Sequence, residues 1–124
     1  MSKAFKDEAS LSLEIFNIIG VELEHANNNH PQFHSRHEAY AIMLEELQEA
    51  KESASITENE LLKEYWKMCR NEKDTEQFGK HDALDLLCSM RNNNIDAIKE
   101  LIQFGAMIEK AIFFEDFIKE LKTK

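Results

Sequence analysis

The sequence has very few of the residues that end helices or form tight turns. Glycine and proline together account for four of its 124 residues, whereas an average globular chain contains roughly 12% of them. β-Sandwiches and glycine-rich nucleotide-binding loops both depend on such residues. Hydrophobic residues make up 43% of the chain, which is enough for a folded core. We therefore expect a globular protein and disfavour a β-sandwich or a glycine-rich nucleotide-binding loop.

Basic residues are also scarce. The chain has 15 lysines and arginines against 24 aspartates and glutamates, a formal net charge of −9. Proteins that bind nucleic acids through phosphate contacts usually carry the opposite sign, so we expect no nucleic-acid partner. An acidic protein can still bind a phosphorylated small molecule when a divalent cation lies between its carboxylates and the phosphates.

Cysteines and long apolar runs are few as well. The two cysteines, Cys69 and Cys88, form no CxxC motif, and we predict that both are reduced thiols in the core. No stretch approaches the roughly 18 apolar residues of a transmembrane helix. The first ten residues lack the apolar run of a signal peptide. These features predict a cytoplasmic protein with no membrane partner.

Apolar residues recur at helical spacing along the whole chain. We predict helical segments at residues 7–26, 35–54, 57–71, 75–90 and from 95 to beyond 114. The polar stretches expected to separate them are residues 27–32, 53–57, the region near 74, and 91–94. Helices joined by short connections are typical of a bundle. We therefore predict a single-domain, four- to five-helix bundle over residues 1–124.

Local signals mark the start of two of these helices. Ser35 with Glu38, and Thr57 with Glu60, have the spacing of a capping box, in which each side chain bonds a backbone N–H of the first turn. On the first helix, the residues expected to face the core are Leu11, Ile15, Ile18, Ile19 and Leu23. Helix starts and core faces are thus predicted from short-range pattern alone.

The second helix carries two carboxylates in an unusual position. Glu46 and Glu49 are three residues apart and lie at the margin of its apolar face, whereas Glu45 and Glu52 lie on its polar face. Two adjacent carboxylates repel each other unless a cation joins them. The pattern is a first indication of a metal site, but on this helix alone an ordinary solvated acidic stripe is the favoured interpretation.

The last helix is apolar on nearly every side, which is typical of a helix packed centrally. Burying polar groups on such a helix is costly unless they are paired or bind a ligand. If its polar stripe faces Glu46 and Glu49, several side-chain oxygens meet in one groove, and such a set suits Mg²⁺ or Mn²⁺. The polar residues of this stripe are Asp96, Lys99, Glu100, Gln103 and Lys110.

Two segments carry a family resemblance. The runs FHSRHEAYAIMLEELQEAKE and ELIQFGAMIEKAI resemble the MazG-like all-α nucleoside triphosphate pyrophosphohydrolases, in particular the short forms found in phages and bacterial mobile elements. The ExxE motif of that family corresponds to Glu46 and Glu49, preceded by Glu45. Its ExxD motif corresponds to Glu100 and Gln103, so a glutamine stands where the family has an aspartate.

The resemblance implies metal-dependent hydrolysis of (deoxy)nucleoside triphosphates to the monophosphate and pyrophosphate, in a homodimer or homotetramer. Mg²⁺ is the implied cofactor, with Mn²⁺ as a substitute. Glu45 or Glu49 is the expected acceptor of the proton of the attacking water. The expected metal ligands are Glu46, Glu49, Glu100, Gln103 and Asp96. The expected substrate contacts are Lys110, Lys99, His37 and Glu38.

Other interpretations of the same residues remain open. Because Gln103 replaces an anionic ligand, the chain is alternatively an inactive MazG-like helical protein that binds a nucleotide or a protein partner. Glu22 and His25 have the ExxH spacing of di-iron bundles, but those bundles need the motif twice, and we find it once. His34 and His37 lack the further ligands that a zinc site requires.

Overall fold

The computed structural model describes residues 7–29, 32–70 and 82–123, and every regular element among them is helical. The helices are α1 (Glu8–Asn29), α2 (Arg36–Ile56), α3 (Leu62–Arg70) and α4 (Ala83–Thr123), and a π-helical turn (Thr57–Leu61) joins α2 to α3. The all-α prediction is confirmed. The described helices form three continuous runs, so the count of four to five helices is not confirmed.

Two of the predicted helix breaks are wrong. Residues 53–57 do not interrupt the helix, because the π-helical turn continues α2 directly into α3. Asn92–Asn94 lie within α4, far from either of its ends. The Thr57 hydroxyl, predicted to cap a helix, instead donates a hydrogen bond to Asn93 Oδ1 at 2.9 Å. This bond occupies two side chains that otherwise compete with the helical backbone.

The cap at Ser35 is confirmed, but the reciprocal bond from Glu38 goes to the N–H of His34 and not to that of Ser35, as a capping box would have it. The backbone N–H of Glu38 donates to Ser35 Oγ at 3.1 Å, while the carboxylate of Glu38 accepts from the backbone N–H of His34 at 2.8 Å. Asp82 similarly accepts from the N–H of Asp85 at the start of α4, at 2.7 Å. The start predicted for that helix near residue 75 lies outside the described residues.

The chain divides into two compact units. Among the described residues, the first unit comprises those up to Glu46 and those from Leu101 onward. In it, α1 and α4 approach closely at Gly105, since a Cβ there would lie 2.8 Å from Ile19 Cδ1. Arg36 at the start of α2 forms a two-bond ion pair with Glu115 of α4, at 2.7 and 2.8 Å.

The second unit comprises Leu47–Glu100. Among the residues of this unit that the structure describes, the buried apolar side chains are few and mostly small: Ala50, Leu86 and Ala97. The prediction that both cysteines lie in the core is wrong for Cys69, which is exposed. Cys88 is half-buried, and both thiols are free. No helix within the described residues is both long and apolar enough to cross a membrane.

The prediction of which α1 residues face the core is largely wrong. Leu23 is buried, but Leu11, Ile15 and Ile18 are 40%, 44% and 44% exposed. Every residue from 7 to 18 is exposed, so the first half of α1 is not covered by any part of the chain that the structure describes. An apolar helix face of this kind usually marks a contact with another molecule.

Candidate metal centre

Three glutamates form a carboxylate cluster. Glu46 and Glu49 lie one turn apart on α2, and Glu100 lies on α4. One carboxylate oxygen from each residue lies within 4.8 Å of the other two. Glu46 and Glu100 are half-buried and Glu49 is exposed. The structure thus brings together the three glutamates that the sequence singles out as metal ligands.

The electrostatics of this carboxylate cluster are unfavourable without a proton or a cation. The pKa of Glu49 is raised, first by a side-chain hydrogen bond to Glu100, then by burial, and then by repulsion between the two carboxylates. A hydrogen bond between two carboxyl groups requires that one of them holds a proton. A divalent cation removes that requirement, because it attracts both anions.

Glu46 also lines a groove in the first unit. Its volume is about 540 Å³, large enough for a small molecule. Its walls come from α1, the segment just before α2, the first half of α2 and the middle of α4. The side chains that line it are Glu22, His25, Ala26, Gln32, His34, Glu38, Ile42, Glu46, Gln103, Met107 and Lys110.

Lys110 is a cationic residue that lines this groove, and it is only 6% exposed. Its Nζ lies 4.9 Å from the centroid of the Phe33 ring, a distance at which an ammonium group is attracted to an aromatic face. Burial lowers the pKa of Lys110, and the nearby Glu38 carboxylate opposes that shift. The pKa of Glu38 is itself lowered, chiefly by the hydrogen bond from the His34 backbone. Lys110 and Glu38 therefore form a charged pair within the groove.

The other residues predicted for the site lie in different environments. Gln103 is half-buried and lines the groove. Asp96 is exposed and is not in the cluster of three glutamates; its carboxylate lies 3.9 Å from the Nζ of Lys99, which is exposed as well. Glu45 and His37 are also exposed.

Sequence reasoning did not predict several residues in and beside the groove. Glu22 and His25 line it from α1, and the ring of Phe33 lies beneath Lys110. The ExxH spacing of Glu22 and His25 was a usable signal, because it places both on one face of a helix. Phe33 offered no comparable signal, since its partner is 77 residues away in the sequence.

Comparisons with family models, with curated proteins and with solved structures give no match to this chain. A proposal for its function therefore rests on the residues of the cluster and the groove.

Proposed function

We propose that this protein hydrolyses (deoxy)nucleoside triphosphates to the monophosphate and pyrophosphate, using Mg²⁺ or Mn²⁺ held by Glu46, Glu49 and Glu100. The observation that carries the proposal is the approach of three carboxylate oxygens to within 4.8 Å of one another. Carboxylate oxygens are the ligands that these hard cations prefer. The amide oxygen of Gln103, near Glu46 in the groove, is a further neutral ligand of the same type.

In this reaction a water oxygen bonds to the α-phosphorus, and the bond from that phosphorus to the bridging oxygen breaks. A cation held by Glu46, Glu49 and Glu100 would lower the pKa of that water and would neutralise charge on the departing pyrophosphate. Glu49 or Glu45 accepts the proton that the water loses. Of these two residues Glu49 lies within the carboxylate cluster, which favours it as the base.

The groove provides the contacts that hold the substrate. Lys110 and Glu38 offer a hydrogen-bond donor and an acceptor side by side, and both line the groove. Lys99, His37 and Asp96 are exposed, and we assign them weaker contacts at the edge of the site, with substrate or with hydrated metal. Ile42 and Met107 supply the apolar part of the groove.

We also propose that the protein acts as a homodimer or homotetramer in the cytoplasm. The support is the exposed apolar surface of the first unit. Phe113 and Phe117 of α4 are 61% and 43% exposed, in addition to the apolar residues in the first half of α1. Burying such side chains against a second copy stabilises an assembly by roughly 1.5–3 kcal/mol for each fully buried residue.

The test is an assay of purified protein with each common (d)NTP and Mg²⁺ or Mn²⁺, following pyrophosphate and monophosphate. We expect Glu46→Gln and Glu100→Gln to lower kcat/KM by at least the 10- to 100-fold that loss of an outer-shell metal partner typically costs. Glu52→Gln is the matched control, because Glu52 is exposed on the same helix and lies outside the cluster. Equal activity of all four proteins contradicts the proposal.

An alternative is favoured by one residue, Gln103, which supplies no negative charge to the site. In this alternative the protein binds metal and nucleotide, or a protein partner, without turnover. The Gln103→Asp variant separates the two, because it adds the missing anionic ligand. An inactive wild type that gains pyrophosphate release with this substitution supports the alternative; an active wild type excludes it.

A further inference from the structure

The groove has a donor and an acceptor at the end away from the metal centre. Glu38 lies eight residues before Glu46 on the continuous helix α2, so about 12 Å of helix separates them. That span is about the length of a nucleoside 5′-monophosphate from its phosphorus to the far edge of its base. If the α-phosphate lies at Glu46, the base therefore reaches Glu38 and Lys110. This step rests on the proposed function.

The charges at this end restrict which base fits. An ammonium group only donates hydrogen bonds and an ionised carboxylate only accepts them. The pKa of Glu38 is lowered, so its carboxylate is ionised at neutral pH, and the hydrogen bonds from His34 leave free lone pairs on its oxygens. Glu22 adds a second carboxylate to the same groove. A base there must present one acceptor to Lys110 and several N–H groups to the carboxylates.

Among the common bases only guanine offers that edge. Its O6 accepts, the adjacent N1–H donates, and the 2-amino group on the other side of N1 donates as well. Uracil and thymine would place their second carbonyl against the carboxylate, where two acceptors repel each other. Adenine and cytosine have a single donor group, the amino group, on their Watson–Crick edge and so cannot supply several N–H groups. We propose that the groove selects guanine nucleotides, with Lys110 donating to O6 and Glu38 accepting from N1–H and the 2-amino group.

Ile42 and Met107 lie between the two ends of the groove, where the ring and the sugar pass. Both are half-buried, and the methionine sulfur is a favourable neighbour for an aromatic ring. The apolar middle of the groove thus matches the sugar and the faces of the purine ring, and its polar far end matches the hydrogen-bonding edge of the base.

The test compares GTP with ITP, which differs from it only in lacking the 2-amino group. Binding is measured by equilibrium dialysis with Ca²⁺, and pyrophosphate release with Mg²⁺. We expect GTP to bind about 10-fold more tightly than ITP and ATP, since a hydrogen bond to a charged group is lost with each. We expect Glu38→Gln to bring the GTP to ITP ratio close to one, because an amide presents a donor as well as an acceptor. Glu24→Gln, an exposed residue of α1 outside the groove, is expected to keep the preference.

The outcomes separate this inference from the proposed function. Equal affinities for GTP and ITP in the wild type overturn the guanine assignment, and pyrophosphate release then decides the reaction by itself. Selective binding of GTP with no pyrophosphate release supports the guanine assignment and contradicts the hydrolase. Binding of none of the three nucleotides overturns both. A preference that persists in Glu38→Gln overturns the role of Glu38.

Discussion

The carboxyl group of Glu49 responds to pH through its hydrogen bond to Glu100. Its pKa is raised above the ordinary value of 4.5, so the folded protein holds this proton more tightly than the unfolded chain does. The contribution of Glu49 to the free energy of unfolding is therefore complete below pH 4.5. It is lost as the pH rises through the raised pKa, and at neutral pH the charged pair destabilises the metal-free protein.

We predict that Glu49→Gln has a higher Tm than the wild type at neutral pH in EDTA, because the amide removes one of the two like charges. The difference is expected to shrink as the pH falls towards 4.5, where the wild-type carboxyl is protonated. Thermal denaturation followed by circular dichroism across this pH range measures both. A variant that is less stable than the wild type at neutral pH without metal contradicts the prediction.

The Glu49–Glu100 pair also explains why we expect a divalent cation to reverse this order of Tm values. Mn²⁺ attracts both carboxylates and should raise the Tm of the wild type and of Glu52→Gln, with a smaller effect on Glu49→Gln. This comparison needs no catalytic turnover. It therefore tests metal binding separately from hydrolysis.

At the scale of the helices, one hydrogen bond spans two elements of the second unit. The bond from Thr57 to Asn93 holds the π-helical turn against the middle of α4. Thr57→Val keeps the shape of the side chain but leaves the Asn93 amide oxygen without this donor. We predict a loss of about 1 kcal/mol in the free energy of unfolding, measured by urea denaturation.

The control for this change is Asn94→Ala. Asn94 is exposed on α4, and alanine has the higher helix propensity, so we expect unchanged or slightly greater stability. A Thr57→Val protein as stable as the wild type would show that the bond contributes nothing in solution.

These helices also show which features sequence can predict. The start of α2 was predictable, because Ser35 and Glu38 act within one helical turn. The same type of signal failed at Thr57, where the hydroxyl bonds a residue 36 positions away. Asn93, which was predicted to lie in a helix break, is the partner in this bond and lies within α4. A local pattern specifies a cap only when no distant partner competes for its side chains.

Within the candidate site, too, some residues are predictable from local sequence pattern and others depend on distant parts of the chain. The spacing of Glu46 and Glu49 along one helix was sufficient to place them together, and the polar stripe of α4 indicated Glu100. The depth of Lys110 was not predictable, since burial of a lysine depends on Phe33 and Glu38 from other segments. Which side chains form the groove is thus a property of packing among three helices.

At the scale of the whole molecule, exposed apolar surface predicts self-association. Leu11, Ile15 and Ile18 follow one stripe of α1 and are each at least 40% exposed. We predict that the protein sediments as a dimer or tetramer and that Ile15→Ser weakens association by about 10-fold or more, because an apolar contact is lost in each copy. Sedimentation equilibrium measures this.

Leu13→Ser is the matched control for Ile15→Ser. Leu13 is 60% exposed and lies on a different side of α1 from the stripe, so a smaller effect is expected. A wild-type protein that remains a 14.5 kDa species at all concentrations tested contradicts the homo-oligomer.

The most direct test of the central claim is hydrolysis of a nucleoside triphosphate in H₂¹⁸O with Mg²⁺, with the products analysed by mass spectrometry. If the residues of the cluster direct water to the α-phosphorus, one ¹⁸O atom enters the monophosphate and none enters the pyrophosphate. Label in pyrophosphate, release of orthophosphate, or no turnover of any nucleoside triphosphate would contradict the assignment of this protein as a pyrophosphohydrolase.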